Sequence, residues 1–128
     1  MKERIRTLIV DDDEDLRELL GLALSEEGFS VETACDGLDA LERLRARRCD
    51  VLLVDLRMPR MNGLELMDAL KREPSLAGIP VVVITGDTVQ GQEALAAGAS
   101  ALLRKPFDVS DAVAAILQHG PRSRRTAA

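Results

Sequence analysis

No apolar run in this sequence comes near the ~20 residues that a membrane-spanning helix needs. The first residues, Met1 to Arg6, also lack the apolar core of a secretory signal peptide. These two absences argue against a membrane-spanning protein and an exported one, so we expect a cytoplasmic chain with no membrane insertion. The length of 128 residues is the usual size of one domain, which predicts one fold and one site.

Cysteine is scarce, and histidine occurs only once. Cys35 and Cys49 are not spaced as a Cys-x-x-Cys pair, and neither has a neighbouring histidine that would complete a zinc site. In a chain without an export signal, two such residues are expected to be reduced thiols that fill small spaces.

Positive charge is also in short supply. The 17 lysines and arginines are outnumbered by 22 aspartates and glutamates, which gives a formal net charge of −5. This balance argues against binding of the whole domain to a polyanion, so no nucleic-acid partner is predicted. Arg122, Arg124 and Arg125 form a basic cluster near the C-terminus. We interpret residues 121–128 as a flexible basic C-terminal tail that follows a domain of residues 1–120.

Short aliphatic and β-branched segments alternate with helical patterns along the chain. This alternation predicts an α/β fold in which crossover helices connect the strands of a parallel sheet. Two of the segments are apolar throughout, as expected of central strands covered on both faces. The five predicted strands are Ile5 to Val10, Val31 to Ala34, Val51 to Val54, Val81 to Ile84 and Ala101 to Leu103, and the third and fourth are the fully apolar ones.

Helical spacing of apolar residues separates the strands. The first helix ends at Gly28, the third is stopped by Pro74, and the fourth is the weakest because only about six residues, Gln92 to Ala97, precede Gly98. Apolar residues at helical spacing mark the first, second, third and fifth helices. They are, in that order, Leu16, Leu19, Leu20, Ala23 and Leu24; Leu38, Leu41 and Leu44; Leu64, Met67 and Leu70; and Val113, Ile116 and Leu117.

Polar residues collect where the strands end, and an open parallel sheet binds its ligand at this edge. The first strand leads into the acidic run Asp11 to Asp15, the third into Asp55, the fourth into Thr85 and the fifth into Lys105. Each residue has a simpler explanation when it is taken alone. The acidic run suits a helix N-terminus, Thr85 suits a strand, and Lys105 suits a solvated surface.

The helix N-terminus does not account for a further carboxylate at the end of a buried central strand. Like charges at Asp11, Asp12 and Asp55 repel one another unless a hard divalent cation such as Mg²⁺ lies among them. A carboxylate beside Mg²⁺ can attack phosphorus and form an aspartyl phosphate, with Lys105 neutralising charge and Thr85 donating its hydroxyl. The bond from Lys105 to Pro106 is a place where a cis peptide costs little.

At these positions the sequence resembles the response-regulator receiver domains of bacterial two-component signalling, from about Arg6 to about Gln118. The motifs that carry the resemblance are Leu8-Ile9-Val10-Asp11-Asp12-Asp13, Asp36-Gly37, Val54-Asp55-Leu56-Arg57-Met58-Pro59 with Met61-Asn62-Gly63, Ile84-Thr85-Gly86 and Lys105-Pro106-Phe107. The resemblance implies a flavodoxin-like, doubly wound (βα)5 fold with a five-stranded parallel sheet in the order 2-1-3-4-5.

The resemblance also implies the role of each site residue. Asp55 would be the phosphoacceptor, Asp11 and Asp12 the Mg²⁺ ligands, Thr85 the switch hydroxyl and Lys105 the phosphate-binding lysine. The backbone carbonyl two residues after the acceptor, which belongs to Arg57, would be a further metal ligand, and Mn²⁺ is a possible substitute for Mg²⁺. The phosphoryl donor would be a sensor histidine kinase or a histidine phosphotransfer protein. Such a domain is a self-phosphorylating acceptor with expected autodephosphorylation, and it is not a turnover enzyme on an external substrate.

Two features depart from this pattern. Leu102 stands where the family often has an aromatic switch residue, and the chain between Thr85 and Lys105 looks about two residues shorter than in chemotaxis-type receivers. The segments around these residues look closer to the receivers of hybrid histidine kinases. We expect the movement on phosphorylation to lie mainly in a loop from Gly86 to Gly91.

The resemblance places Arg57 and Asp87 at the mouth through which water reaches the acyl phosphate. Their opposite charges are expected to pair across this entrance and modulate the lifetime of the phosphate. The simpler alternative is two solvated side chains with no effect on it.

Three rival functions fit the sequence less well. Haloacid-dehalogenase phosphatases need a second aspartate two residues after the nucleophile, where this chain has Arg57. A nucleotide- or flavin-binding module needs a glycine- or hydroxyl-rich loop after the first strand. An inert interaction domain would not need the complete set of site residues.

The output is expected to be a protein–protein contact with an unknown target, because no effector domain follows Gln118. The domain would be a monomer or a weak phosphorylation-dependent dimer. The kinase and pathway stay open, as does the choice between a free-standing protein and a piece of a larger one.

Overall fold

The computed structural model describes residues 4–121, in which five strands alternate with five helices. The elements are β1 (Arg6–Val10), α1 (Glu14–Glu26), β2 (Ser30–Ala34), α2 (Gly37–Ala46), β3 (Val51–Asp55), α3 (Gly63–Arg72), β4 (Val81–Thr85), α4 (Thr88–Ala96), β5 (Ala101–Arg104) and α5 (Val109–His119). All strand pairs are parallel, and the sheet order is β2-β1-β3-β4-β5. The predicted flavodoxin-like fold and its strand order are therefore confirmed.

The sheet lies between two layers of helices, and its strands β3 and β4 pack against both layers. Every residue of β3 and β4 is buried, because alternate side chains enter opposite hydrophobic clusters. Leu52 and Val83 face the cluster formed with α2 and α3, whereas Leu53 and Val82 face the cluster formed with α1 and α5. Each fully buried aliphatic side chain contributes about 1.5–3 kcal/mol, so these strands fix the sheet edge that carries the polar residues.

The helix boundaries follow local capping signals. The Asp13 carboxylate accepts hydrogen bonds from the amides of Asp15 and Leu16 and so caps α1, as the helix N-terminus explanation of the acidic run predicts. Gly28 follows α1 with a φ of 99°, a left-handed conformation that favours glycine. Helix α3 ends at Arg72, before the Pro74 that was expected to stop it.

The fourth helix is longer than the sequence pattern predicts. Helix α4 has nine residues and begins at Thr88 because the Asp87 side chain accepts from the Gln90 amide. Gly91 lies inside the helix, where a Cβ atom would approach Leu102 Cδ2 to 2.9 Å. The expectation that Gly86 to Gly91 form a loop is therefore wrong, since only Gly86 and Asp87 connect β4 to α4. Movement of this segment on phosphorylation stays a prediction.

Some expectations lie at or beyond the limits of the described chain. The predicted basic tail, residues 121–128, lies outside the described residues apart from Pro121. Among residues 4–121, no helix combines the length and the apolar character needed to cross a membrane.

Candidate functional site

Three carboxylates meet at the carboxyl edge of the sheet. Asp11 and Asp12 follow β1, and Asp55 is the last residue of the neighbouring strand β3. One carboxylate oxygen from each residue lies within 4.8 Å of the others. Asp11 and Asp55 are buried, whereas Asp12 is exposed. The topology thus brings together the three acids that the sequence analysis singled out.

Asp11 is the most deeply buried member of this acidic cluster. Its Oδ1 accepts a hydrogen bond of 2.9 Å from the Asp13 amide, but no group among residues 4–121 hydrogen-bonds to the buried Oδ2. Burial raises the pKa of Asp11 to about 6, and the neighbouring charge of Asp55 acts in the same direction. A buried carboxylate oxygen without a donor is suited to a cation.

Asp55 lies between two donors on different elements. The Arg57 amide donates to its Oδ1 at 3.3 Å, and the Lys105 ammonium lies 3.5 Å from its Oδ2. Asp55 is 6% exposed, and the Lys105 side chain is 40% exposed. The ammonium of an exposed side chain therefore reaches a buried carboxylate at the end of a central strand.

Thr85 faces the same cleft from the end of β4, and it is buried. Its Oγ1 accepts a hydrogen bond of 3.0 Å from the Asp87 amide. Because this contact uses the hydroxyl only as an acceptor, the hydroxyl proton is left to donate to a ligand oxygen. Asp55, Thr85 and Lys105 line the cleft together with Arg57, Gly86, Asp87 and Thr88.

Arg57 and Asp87 form an ion pair at the rim of this cleft. Arg57 Nη2 lies 3.4 Å from Asp87 Oδ2, and the two side chains are 73% and 34% exposed. The Gln90 amide, then the Val89 amide and the Arg57 charge, hold the pKa of Asp87 below its ordinary value. The pairing that the sequence analysis expected is thus present, whereas its effect on phosphate lifetime stays a prediction.

The connection after β5 completes the cleft. The peptide bond between Lys105 and Pro106 is cis, and the Lys105 amide donates to the Thr85 carbonyl at 3.0 Å. Leu102, which stands where the resembling family often has an aromatic switch residue, is half-buried and packs against Gly91 of α4.

Two arginines that contact residues beside the site were not predicted from the sequence. Arg17 Nη1 donates to the backbone carbonyl of Asp11 at 2.7 Å, and Arg60 pairs with the buried Asp36. Arg17 is one helical turn into α1, so its position after the acidic run was a usable signal. No local pattern joins Arg60 to Asp36, because 24 positions separate the two residues in the chain.

Comparison with known proteins agrees with this architecture. The family model described as "Response regulator receiver domain" matches residues 7–117. The chain is 31% identical in sequence to the solved structure of the chemotaxis protein CheY4 of Vibrio cholerae, with a TM-score of 0.85 over 91% of this chain and 99% of that one.

Two mycobacterial relatives are similar over their matched part only. The DNA-binding response regulator MtrA of Mycolicibacterium paratuberculosis is 38% identical over 88% of this chain and 50% of its own length. The response regulator MprA of Mycobacterium bovis is 41% identical over 86% of this chain and 48% of its own length. The chain thus spans about half the length of these curated relatives.

Proposed function

Since this chain belongs to the response-regulator receiver domain family, we propose that Asp55 accepts a phosphoryl group from a histidine kinase or a histidine phosphotransfer protein. The observation that carries the proposal is the position of Asp55. It is a buried carboxylate at the end of a central strand, with two further carboxylates on one side and the Lys105 ammonium on the other. Few structural roles require three acids and one lysine at the same sheet edge.

The acidic cluster fits Mg²⁺ through the chemistry of its donors. All three side chains offer hard oxygen atoms, and Asp11 Oδ2 is buried with no hydrogen-bond partner among residues 4–121. Asp11, Asp12 and Asp55 would hold the ion, together with the backbone carbonyl of Arg57, and Mn²⁺ would substitute for it. Bound there, the cation would supply charge neutralisation for the phosphoryl oxygens.

The transfer step makes one bond and breaks one bond. An Asp55 carboxylate oxygen forms a bond to phosphorus, while the P–N bond of the donor phosphohistidine breaks and its electron pair leaves with the imidazole. Lys105 and Thr85 line the cleft beside Asp55. Lys105 would neutralise negative charge on the transferred group, and the Thr85 hydroxyl would donate to a phosphoryl oxygen. The chain itself is consumed as acceptor in this step and is regenerated by hydrolysis.

Removal of divalent metal is expected to abolish phosphoryl uptake. With acetyl phosphate and Mg²⁺, the intact mass should rise by about one phosphoryl unit. With EDTA the mass should stay unchanged, because the clustered carboxylates repel an incoming phosphoryl group. Addition of Mg²⁺ or Mn²⁺ in excess over EDTA is the control and should restore uptake. Full uptake without a divalent metal would remove Asp11 and Asp12 from their proposed roles.

The proposed output is a population shift on the face formed by α4, β5 and α5. New contacts from the phosphoryl group to Thr85 and Lys105 would favour one pre-existing arrangement of this face. Movement would begin at Gly86 and Asp87, the two residues that connect β4 to α4. A change in protein–protein contacts would then carry the signal. MtrA is described as DNA-binding, but a nucleic-acid contact of residues 4–121 is not expected here because the net charge of the chain is −5.

The ion pair between Arg57 and Asp87 is proposed to slow loss of phosphate by narrowing the approach of water. An exposed pair contributes at most ~1 kcal/mol, which corresponds to about fivefold in rate. Arg57→Ala and Asp87→Ala are each expected to speed dephosphorylation by up to this factor, and the double variant should be scarcely faster than either single one. Loss of the phosphorylated mass with time measures the rates.

A matched control for this experiment lies on α3, where Arg72 and Asp68 form another exposed ion pair at 2.8 Å. Arg72→Ala should leave the lifetime of the phosphate unchanged. Additive effects of the Arg57 and Asp87 substitutions, or wild-type lifetimes in both single variants, would show that the ion pair does not slow loss of phosphate.

A further inference from the structure

The turn between β2 and α2 contacts the loop that follows the phosphoacceptor. We refer to residues 56–62, which connect β3 to α3, as the acceptor loop. From the turn, the Asp36 carboxylate reaches Arg60 of this loop, with its Oδ2 2.6 Å from Arg60 Nε and 2.5 Å from Nη2. The Asp36 side chain is only 5% exposed, and its Oδ1 accepts from the Asp39 amide, which caps α2. One buried carboxylate thus joins α2 to the acceptor loop.

A backbone contact accompanies this ion pair. The Gly37 amide donates to the Met61 carbonyl at 3.1 Å. A Cβ atom at position 37 would lie 2.6 Å from the Met61 side chain and 2.8 Å from the Met61 carbonyl oxygen. Only glycine permits this approach, so the sequence Asp36-Gly37 supplies both halves of the contact with the acceptor loop.

The acceptor loop holds an unusual backbone conformation at the residue that forms the ion pair. Arg60 has a φ of 62°, and among residues 4–121 it is the only residue other than glycine with a positive φ. Such a conformation persists in a non-glycine residue when surrounding contacts fix it. At Arg60 the Met61 amide donates to the Pro59 carbonyl at 2.7 Å across the residue, and the guanidinium forms two bonds to Asp36.

The other end of the acceptor loop is fixed against the acceptor strand. The Gly63 amide donates to the Leu56 carbonyl at 3.1 Å, and a Cβ atom at Gly63 would lie 2.9 Å from the Asp55 carbonyl oxygen. Arg57 lies between the two fixed ends, and its amide donates to Asp55 Oδ1. The position of the Arg57 backbone therefore depends on both ends of the loop.

We infer that the ion pair between Asp36 and Arg60 is a positioning device, which holds the acceptor loop so that the Arg57 backbone carbonyl is ready to bind the divalent cation. The inference rests on the proposed function, because that function makes the Arg57 carbonyl a ligand. Neither Asp36 nor Arg60 is a catalytic residue, since each acts through the loop. Loss of the pair would let the loop sample other conformations, and binding would have to order it again.

The charge state of Asp36 is consistent with this role. Burial would raise the pKa of Asp36, but the Asp39 amide and the Arg60 guanidinium outweigh burial, and the pKa lies below its ordinary value. Asp36 therefore stays ionised under the neutral conditions in which the cation binds, and the ion pair stays intact.

The test is a titration with Mn²⁺, followed by electron paramagnetic resonance of the free ion. Arg60→Met keeps much of the aliphatic side chain but removes the guanidinium. We expect its affinity for Mn²⁺ to fall about tenfold, the lower end of what loss of an outer-shell partner costs. The Mg²⁺ concentration for half-maximal uptake from acetyl phosphate should rise by a similar factor, while the rate at saturating Mg²⁺ stays near that of the wild type.

Two further variants separate the ion pair from the backbone conformation. Arg60→Gly adopts a positive φ readily but cannot pair with Asp36, so it should bind Mn²⁺ as weakly as Arg60→Met. Asp36→Asn keeps an oxygen to cap α2 but loses the charge, and it should show the same loss. Arg60→Lys keeps the charge and should recover part of the affinity. Wild-type affinity in Arg60→Gly would overturn the inference.

The matched control is Arg45→Met, which removes the ion pair between Arg45 of α2 and Glu73, away from the acceptor loop. It should bind Mn²⁺ like the wild type, and thermal unfolding should verify that all variants are folded. If the wild type binds no Mn²⁺ and takes up no phosphoryl group, the proposed function fails. If the wild type binds and every Asp36 and Arg60 variant binds equally well, only the positioning role fails.

Discussion

Asp55→Asn is expected to abolish phosphoryl uptake, whereas the wild-type chain gains about one phosphoryl unit from acetyl phosphate and Mg²⁺. Asparagine has nearly the shape of aspartate, but its amide is a very poor nucleophile toward phosphorus. Asp55 is the buried acid at the end of a central strand that faces Lys105, so no neighbouring carboxylate has an equivalent position. Intact-mass spectrometry before and after the reaction measures the effect.

Asp15→Asn is the matched control for this experiment. Asp15 is an exposed acid in the first turn of α1, so its replacement removes a carboxylate from the same edge of the sheet without touching the cleft. Uptake should match that of the wild type. An undiminished mass increase in Asp55→Asn would assign the phosphoryl group to another residue and would end the proposal.

Asp11→Asn is expected to stabilise the metal-free protein at neutral pH by up to about 3 kcal/mol. The pKa of Asp11 rises from 3.8 to about 6 on folding, and each unit is worth about 1.4 kcal/mol. Between these pH values the folded state retains a proton that the unfolded state has lost, so the free energy of unfolding falls as pH rises. The asparagine variant should lack this fall. Urea unfolding in EDTA at pH 5 and at pH 7.5 measures both effects.

Mg²⁺ should reverse the order of stability of the wild type and Asp11→Asn. The wild type should gain stability from added Mg²⁺, because the ion binds only the folded state, and Asp11→Asn should gain little. Asp12→Asn removes the exposed acid of the same cluster, so it should lower the affinity for metal with a much smaller change in metal-free stability. A metal-free Asp11→Asn protein no more stable than the wild type at pH 7.5 would contradict the prediction.

The sheet and the acidic site could be predicted because both depend on local patterns. Uninterrupted apolar runs such as Val81 to Ile84 identify central strands, and parallel strands bring their carboxyl ends to one edge whatever their exact lengths. The identities of Asp11, Asp55, Thr85 and Lys105 at those ends were therefore enough to predict that they meet.

The start of α4 could not be predicted from apolar periodicity. The first turn carries few large apolar residues, and Gly91 reads as a breaker in the sequence. In the fold, the Asp87 cap begins the helix early, and the glycine accommodates Leu102 from the neighbouring strand. A tertiary contact thus overrode the local preference, and the capping aspartate was the signal that was overlooked.

Neither an apolar pattern nor a capping residue in the sequence indicates the ion pair between Asp36 and Arg60. A pairing between a turn and a distant loop depends on register, and no pattern around Arg60 indicates a positive φ at an arginine. Glycines at 37 and 63 indicate close approaches, but the sequence does not tell which backbone they approach.

The small buried surface of α4 affects the cooperativity of unfolding. Only Gly91 and Ala94 of this helix are buried, so little apolar surface anchors it, whereas β3 and β4 are buried at every residue. Local unfolding of α4 should therefore cost much less free energy than global unfolding. Amide protons of α4 would exchange through such partial openings, while those of β3 would wait for the whole domain to open. The acidic cluster would thus stay folded during partial openings that unfold α4.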